Sequence, residues 1–159
     1  MGIRYYAYPV APELVDLARE EPRLFLSPDP LADAWGPPER CPEMLYLDKC
    51  WHWLQRLTTR GDAPRPAYRL FEGGVRFVDG GAGWHAWERV LGPDEVEAVA
   101  ADIVLLGEED VRATVRRWSP DHGRSVAEEM SYVMQFLGAA QHFAVATSRA
   151  GRGIVYTIG

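Results

Sequence analysis

The sequence predicts an α+β domain in which a small, mainly antiparallel sheet packs with about five helices. Three observations support this prediction. Segments rich in β-branched and aromatic residues open and close the chain, amphipathic helical segments lie between them, and the composition is that of an ordinary globular protein. A chain of 159 residues, 47% of them hydrophobic, can bury a core without a metal or a disulfide. We therefore interpret 1–159 as a single domain.

The N-terminal part of the chain predicts one strand and one short helix. Residues 3–10 are rich in tyrosine and β-branched side chains, which is typical of a strand. A helix is predicted over 12–20, because a proline suits its first turn and Pro22 ends it. Five prolines and a glycine exclude regular structure over most of 27–42. Trp35 lies in this stretch, so we expect an ordered loop that its ring pins in place.

An amphipathic helix is predicted over 43–60, with Gly61 as its C-terminal cap. Apolar positions recur on one face at steps of four, three and four residues: Leu47, Trp51, Leu54 and Thr58. The turn-rich stretch 62–83 follows and contains a short strand candidate at 75–78. Its glycine run lacks the Lys-Ser/Thr pair of a phosphate-binding loop, and we predict no cofactor.

The next part of the chain predicts a strand and two helices. The strand covers 85–91 and ends at a Gly-Pro pair. Proline and acidic residues then open a helix that Gly107 ends, and a shorter helix covers 108–118. A turn is predicted over 119–123.

A long helix and a last strand complete the chain. Ser125 and Glu128 match a capping box, which marks the start of the helix. Its apolar positions recur at steps of four and three residues as far as Ala144, so this helix is predicted to be the central packing element. The strand covers 154–158.

Charge and composition exclude several classes of partner. A net charge of −6 argues against nucleic acid, whose phosphates need a clustered basic surface. No run of about 18 apolar residues exists, so we predict no membrane span. The N-terminus lacks a secretory signal, and Cys41 and Cys50 lack the spacing of a C-x-x-C pair. We therefore expect a cytoplasmic protein with two free thiols.

The segment 94–110 contains seven acidic residues and no basic one. The plainer interpretation is a solvated face of two helices. The alternative is a docking surface for a basic protein partner.

Two polar stripes of the predicted 43–60 helix carry side chains suited to binding or proton transfer. One stripe is Asp48, His52, Gln55 and Thr59, and its neighbour is Lys49, Trp53 and Arg56. A carboxylate four residues before a histidine can share a proton with it or offer two metal ligands. A catalytic zinc usually has three protein ligands, so we predict no metal site. A simple surface contact between the two side chains is the plainer interpretation.

Trp84 and His85, on the following strand, are the candidates that could complete a pocket near His52. Trp51 and Trp118 have core explanations, whereas an aromatic binding site could use Trp35, Trp53, Trp84 and Trp87. The chain has no Gly-x-Ser-x-Gly, His-Glu-x-x-His, Gly-x-Gly-x-x-Gly or Ser-x-x-Lys motif. We therefore assign no catalytic residue.

Several motifs together resemble the YfbM-like family of small bacterial proteins. They are Met1-Gly2-Ile3-Arg4-Tyr5-Tyr6, Leu47-Asp48-Lys49-x-Trp51-x-x-Leu54, Leu57-Thr58, Gly73-Gly74 and Val90-Leu91-Gly92-Pro93-Asp94-Glu95-Val96, with a strand after a long helix at the end. The resemblance implies a single α+β domain and no established activity. It carries over Asp48, Lys49 and Trp51 without a role. A histidine commonly follows the leucine of the central block in the family, and Gln55 stands there in this chain.

Three hypotheses follow for the residues around Asp48. The first is a non-catalytic binding or protein-interaction module in the cytoplasm. The second is a small hydrolase-like enzyme with a pocket around Asp48, His52, Trp53 and His85. In the third, Asp48 and Lys49 are architectural and tie the helix to the Pro-rich loop. Ligand-binding candidates under these hypotheses are Asp48, Lys49, Trp51, His52, Trp53, Gln55, Trp84 and His85.

Overall fold

A computed structural model describes residues 2–118 and 123–159, so the turn predicted at 119–123 lies almost wholly outside the described residues. Six strands and six α-helices are found within them. The strands are β1 (Tyr5–Val10), β2 (Leu45–Asp48), β3 (Arg76–Phe77), β4 (Trp84–His85), β5 (Trp87–Leu91) and β6 (Gly153–Ile158). The helices are α1 (Val15–Glu20), α2 (Pro30–Trp35), α3 (Trp51–Thr58), α4 (Pro93–Ile103), α5 (Glu108–Trp118) and α6 (Val126–Arg149).

The main sheet has four strands in the order β2-β1-β6-β5, and every neighbouring pair is antiparallel. Strands β3 and β4 form a separate two-stranded sheet. The first and last strands of the chain pair along their full length, from Tyr5 opposite Ile158 to Val10 opposite Gly153. The predicted α+β class, the antiparallel sheet and the long helix before the last strand are therefore confirmed.

Alternation along β1 divides the core between the two faces of the sheet. Tyr5 and Ala7 belong to the large core that contains side chains of α3, α4, α5 and α6. Tyr6 and Tyr8 belong to a smaller cluster that contains side chains of α1 and α2. Successive side chains of a strand point to opposite faces, so one strand supplies both layers.

Helix α6 is the central packing element that the sequence predicts. Ser125 accepts a hydrogen bond from the Glu128 N–H at 3.3 Å, and the Glu128 side chain accepts one from the Ser125 N–H at 2.7 Å. Val133, Leu137, Ala140 and Ala144 of the predicted stripe are buried, whereas Val126 at its start is exposed. Glu129, Phe143 and Thr147 are also buried. Within the described residues, no helix has both the length and the apolar character needed to cross a bilayer.

The helix predicted over 43–60 is wrong in its first half. Residues 45–48 form β2, with Leu45 and Leu47 buried and the two residues between and after them half-buried. Helix α3 begins only at Trp51. Pairing with β1 stabilises this short segment as a strand. The strand's period of two buries both Leu45 and Leu47, and Leu47 is the one that also fitted the predicted helical face.

Two further boundaries differ from the sequence prediction. Helix α2 lies inside the Pro-rich stretch that was expected to be irregular, because Pro30 occupies its first position and Asp29 caps it. The strand predicted over 85–91 is divided between β4, which ends at His85, and β5, which begins at Trp87.

Candidate functional site

Asp48 ends β2 in an unusual backbone conformation. Its φ is +46°, and no other non-glycine residue of the described chain has a positive φ. Aspartate tolerates the left-handed region better than most residues. A tight turn follows, in which the Cys50 N–H donates to the Leu47 carbonyl at 2.8 Å. Asp48 therefore lies outside α3 and does not share a helical stripe with His52, contrary to the sequence prediction.

The Asp48 carboxylate connects three parts of the fold. Its Oδ1 accepts hydrogen bonds from Arg4 Nε and from the Tyr46 hydroxyl, both at 3.1 Å. Its Oδ2 accepts one from the Tyr132 hydroxyl at 3.4 Å. Arg4 precedes β1, Tyr46 lies on β2 and Tyr132 lies on α6. Asp48 thus holds the N-terminal segment, an edge strand and the long helix together.

Arg4 is held in place by this arrangement. Its pKa is raised, first by the hydrogen-bonding contact with the Tyr46 phenol and also by the charge of Asp48. Its Nη1 donates to the Gly2 carbonyl at 3.2 Å. The Lys49 side chain also lies against Gly2, where a Cβ would collide with Lys49 Cε. Arg4 and Lys49 therefore both lie against Gly2.

A second carboxylate, Glu129, is buried in the first turns of α6. Its side chain is only 1% exposed, and its Oε2 lies 3.5 Å from Arg124 Nη1. Neither carboxylate oxygen has a hydrogen-bond partner within the described chain. The Arg124 guanidinium also covers the Tyr132 ring, 4.6 Å from its centre. Glu129 was not among the predicted site residues, although its position four residues before Val133 places an acid on the apolar stripe.

The potential nucleophiles of this region are not activated. Burial raises the pKa of the Cys50 thiol, and the negative charges of Glu129 and Asp48 raise it further. Burial is also the main cause that raises the pKa of the Tyr132 phenol. A protonated thiol is a weak nucleophile and a weak metal ligand. Across residues 2–118 and 123–159, no group of three His, Cys, Asp or Glu side chains could hold a metal ion.

His52 and Gln55 lie on α3, where their side chains serve local structure. His52 Nδ1 contacts the Lys49 carbonyl across the turn that starts the helix. The Gln55 amide donates to the carbonyls of Phe71 and Gly73, at 2.5 and 2.6 Å. Gln55 therefore fastens the loop after residue 70 to α3, and its amide nitrogen is already engaged.

The tryptophans near α3 are placed differently from the sequence prediction. Trp53, a candidate for a ligand site, is fully buried in the core. Trp51, expected in the core, is half-buried at its edge. Trp118, also expected in the core, is 51% exposed, and Arg56 lies between its ring and that of Trp53 at 5.0 Å from each. The buried face of α3 carries Trp53, Leu54, Leu57 and Thr58, and Trp51 lies at its edge.

Trp84 and His85 form β4 and are exposed on the small two-stranded sheet, opposite Phe77 and Arg76. Asp48 lies on the main sheet, so the two halves of the proposed hydrolase pocket belong to different sheets. The buried Trp53 cannot line such a pocket.

The Pro-rich segment before β2 is ordered without help from the ring of Trp35. Asp29 Oδ1 accepts the Ala32 N–H at 3.1 Å and caps α2. The Tyr8 hydroxyl donates to Asp33 Oδ2 at 3.3 Å and ties α2 to the sheet. Trp35 itself is 74% exposed, so the expectation that its ring pins the segment is wrong.

The exposed face of α2 borders a groove of about 430 Å³, here named the Trp35 groove. It is lined by Arg4, Asp29, Leu31, Ala32 and Trp35. Leu31 is 40% exposed and, with the indole, forms an apolar wall. Arg4, which Asp48 holds in place, supplies the positive charge. Because Arg4 contacts Asp48 and also lines the groove, the Asp48 region and the Trp35 groove form one candidate site.

Comparison with solved structures gives a match to YfbM from Escherichia coli, a protein of unknown function. The match covers 99% of this chain and 100% of YfbM, with a TM-score of 0.62 and 16% sequence identity. The chain has the YfbM fold. This confirms, for the fold, the resemblance that the sequence motifs indicate. Comparisons with protein-family models and with curated proteins gave no match.

In this YfbM fold, most carboxylates of the acidic segment 94–110 have partners within the chain. Glu95 accepts the Gly92 N–H, Asp102 binds Arg65 at 2.8 Å, and Asp110 accepts the Gly107 N–H. Glu108 and Glu109 both pair with Arg112. Within the described residues, Asp94 and Glu97 are the members of the segment that are exposed without an ion pair or a hydrogen bond from a side chain.

Proposed function

We propose that this protein is a non-catalytic binding module of the cytoplasm, and that the Trp35 groove takes a short segment of a protein partner. Trp35 carries the proposal. Trp35 is 74% exposed, which leaves a large apolar surface in water. Tryptophan and arginine are the side chains that most often dominate the binding free energy of protein interfaces. Here Trp35 and Arg4 line one groove.

The size of the Trp35 groove favours a short segment over a folded surface. Its volume of about 430 Å³ lies near the lower end of the range of small-ligand sites. Its rim on α2 is fixed by the Asp29 cap, and its Arg4 wall by Asp48. A site held in shape before binding loses less conformational entropy when a partner orders on it.

The chemistry around Asp48 supports a role without catalysis. Asp48 already accepts three hydrogen bonds, and the Cys50 thiol is buried with a raised pKa. The hydrolase alternative needs Trp53 in a pocket, and that side chain is in the core. Both cysteines are free, with Cys41 exposed, which favours a reducing compartment and hence the cytoplasm.

Peptide display on the wild-type protein, followed by affinity measurement on single variants, tests the proposal. Trp35→Ala is expected to weaken the selected peptides by about 30-fold, because a hot-spot side chain contributes about 2 kcal/mol or more. Phe77→Ala is the matched control, since Phe77 is a 65% exposed aromatic side chain on the small sheet. Equal affinity of the selected peptides for wild type and Trp35→Ala would contradict the proposal.

The acidic segment 94–110 stays a second proposed docking surface, for a basic partner. The two exposed carboxylates without a partner in the described chain, Asp94 and Glu97, are the ones to reverse. Glu95 is unsuitable, because it caps α4 and lies within 3.8 Å of Arg19 and of Arg89. The double variant Asp94→Lys with Glu97→Lys is expected to lose basic partners in a pull-down. Unchanged recovery would count against this surface.

A further inference from the structure

The hydrogen bonds of β1 determine which backbone groups of β2 point away from the main sheet. Arg4 and Gly159 exchange both of their backbone hydrogen bonds, each at 2.9 Å. In an antiparallel ladder every second residue faces the same neighbour, so Arg4 faces β6 and Ala7 faces β2. Leu45 stands opposite Ala7 and therefore directs its N–H and carbonyl toward β1.

Met44 and Tyr46, on either side of Leu45, consequently direct their N–H and carbonyl groups away from the sheet. No other backbone group of the described chain forms a hydrogen bond with them. Strand β2 is also an edge strand, with β1 as its neighbour in the sheet. Unpaired backbone groups along a sheet edge are a template for a further strand.

A groove of about 360 Å³, here named the β2 groove, borders this edge. One wall is the segment Pro42–Tyr46, and the other is a flank of α6 that includes Ala139, His142 and Ala146. Ala139 and His142 are exposed. The edge of β2 therefore opens onto free space along this part of the described chain.

The open edge of β2 lacks the charges and prolines that usually prevent edge strands from pairing. The residues from Met44 to Leu47 are uncharged and include no proline. Glu43, just before them, is paired with Arg152 of its own chain at 2.6 Å. The positive φ of Asp48 ends the open stretch on its other side. The edge can therefore pair with another strand without bringing an uncompensated charge to the contact.

The free groups of this edge are complementary to those of a second copy of the chain. In an antiparallel pair about a twofold axis at Leu45, Met44 of each copy stands opposite Tyr46 of the other. Residues opposite each other in this way exchange two hydrogen bonds, so the N–H and carbonyl groups of all four residues are satisfied. The Met44 side chain also meets the Tyr46 ring of the other copy, and thioether sulfur packs favourably against aromatic rings.

The short length of the open edge favours a second copy over an isolated peptide. Two outward residues offer few hydrogen bonds, and a two-stranded pairing of such length is marginal in water without further packing. A second copy adds that packing, because the α6 flanks with Ala139 and His142 border both of the paired edges.

We infer that this chain forms a homodimer in which the two β2 strands pair antiparallel about a twofold axis, joining two four-stranded sheets into one continuous sheet. Twofold dimers are the commonest closed oligomers, and they use the same surface on both copies. This surface shares no residue with the lining of the Trp35 groove, so the inference goes beyond the proposed function.

Sedimentation velocity of the whole protein from about 1 µM to about 1 mM, which covers moderate and weak association, tests the inference. Wild type is expected to change from monomer to dimer within this range. Met44→Pro should raise the dissociation constant by about tenfold or more, because it removes an outward N–H from each copy and leaves the ladder with β1 intact.

Val90→Pro is the matched control at the opposite edge of the sheet. Arg89 faces Tyr156 of β6, which alternates with Gly159, so the N–H of Val90 points away from the sheet as that of Met44 does. Both side chains are half-buried against the smaller cluster. Val90→Pro is expected to keep the dissociation constant of wild type.

A wild type that stays monomeric at every concentration would overturn the inference. A dimer that Met44→Pro leaves unchanged, or that Val90→Pro weakens equally, would overturn it as well, because the contact would not depend on the β2 edge. Amide hydrogen exchange of wild type by NMR decides the question even where Met44→Pro does not fold. Protection of the Met44 and Tyr46 amides that rises with protein concentration supports the inference, and protection independent of concentration contradicts it.

Discussion

Replacement of Asp48 tests whether this residue ties the fold together as its contacts indicate. Three variants separate the contributions of its charge, its hydrogen bonds and its backbone conformation. Asp48→Asn keeps the shape and the tolerance of a positive φ but removes the charge. Asp48→Gly removes the side chain and suits φ +46°, and Asp48→Ala removes the side chain at a φ that alanine disfavours.

The contacts of Asp48 determine the expected size of the effect. Hydrogen bonds to a charged group contribute about 1.5–3 kcal/mol each when buried. The Arg4–Asp48 pair is only part-buried, with side chains 23% and 31% exposed, and water can reach the hydroxyls that remain. We therefore expect Asp48→Ala to lower the free energy of unfolding by about 2–4 kcal/mol in total.

The difference in stability between Asp48→Gly and Asp48→Ala measures the free-energy cost of the positive φ at position 48. A left-handed conformation costs an alanine about 1–2 kcal/mol. Glycine avoids this cost but loses about 0.4–1 kcal/mol through the greater entropy of its unfolded chain. Asp48→Gly is therefore expected to be more stable than Asp48→Ala by about 0.5–1 kcal/mol. Asp48→Asn should be the least destabilised of the three.

Urea unfolding followed by far-UV circular dichroism measures these differences as changes in midpoint at constant slope. Asp79→Ala, at an exposed position in the turn between β3 and β4, is the control and should change stability by less than about 0.5 kcal/mol. A loss below about 0.5 kcal/mol for Asp48→Ala would refute the structural role of the carboxylate. Equal stability of the alanine and glycine variants would refute the inference that the backbone at position 48 is strained.

Asp102, Cys50 and Glu129 give three further predictions, on pH dependence, thiol reactivity and stability respectively. Burial alone would raise the pKa of Asp102, but hydrogen bonds from Arg65 and a backbone N–H outweigh it and lower the pKa. The stability that this interaction adds is complete above about pH 4 and is lost as the pH falls through the lowered pKa. In urea unfolding at pH 7, Asp102→Asn should therefore be less stable than wild type, and the difference should disappear at acid pH. Iodoacetamide at pH 8 should alkylate Cys41 and leave Cys50 unmodified by mass spectrometry, because Cys50 is buried with a raised pKa; rapid labelling of both would contradict this. Glu129→Met should leave the free energy of unfolding unchanged or raise it by up to about 2 kcal/mol, because the carboxylate is desolvated without a hydrogen bond from the described chain. A loss above about 1 kcal/mol in urea would show instead that its arginine partner stabilises it strongly.

The elements that the sequence predicted well are those whose signals are local. The capping box at Ser125 and Glu128 lies within four residues, and the apolar stripe of α6 repeats over many turns. Strands β1 and β6 were predicted because their residue types favour an extended backbone. These interactions form between near neighbours in the chain, so their pattern is visible without any tertiary contact.

Strand β2 shows where this local information ends. Its four residues are too few for a periodicity to separate strand from helix, and Leu47 fits both patterns. Pairing with β1, some forty residues earlier in the chain, decides its conformation. The helix predicted across this segment therefore began too early. Burial was predicted for Trp51 and Trp118, but the tryptophan that is buried in the core is Trp53.

The candidate site, too, could be predicted only in part from the sequence. The sequence singled out Asp48 and Lys49, the only lysine of the chain, within one of the motifs that resemble the YfbM-like family, but it placed both residues on a helix. Only the tertiary structure brought Arg4 to Asp48 across 44 positions and Tyr132 across 84. It also left Trp35 in solvent beside Arg4 and buried Glu129 without a hydrogen bond from the described residues. The physical reason is that a side chain's partners across a folded core depend on how strands and helices pack, and no spacing along the chain encodes that packing.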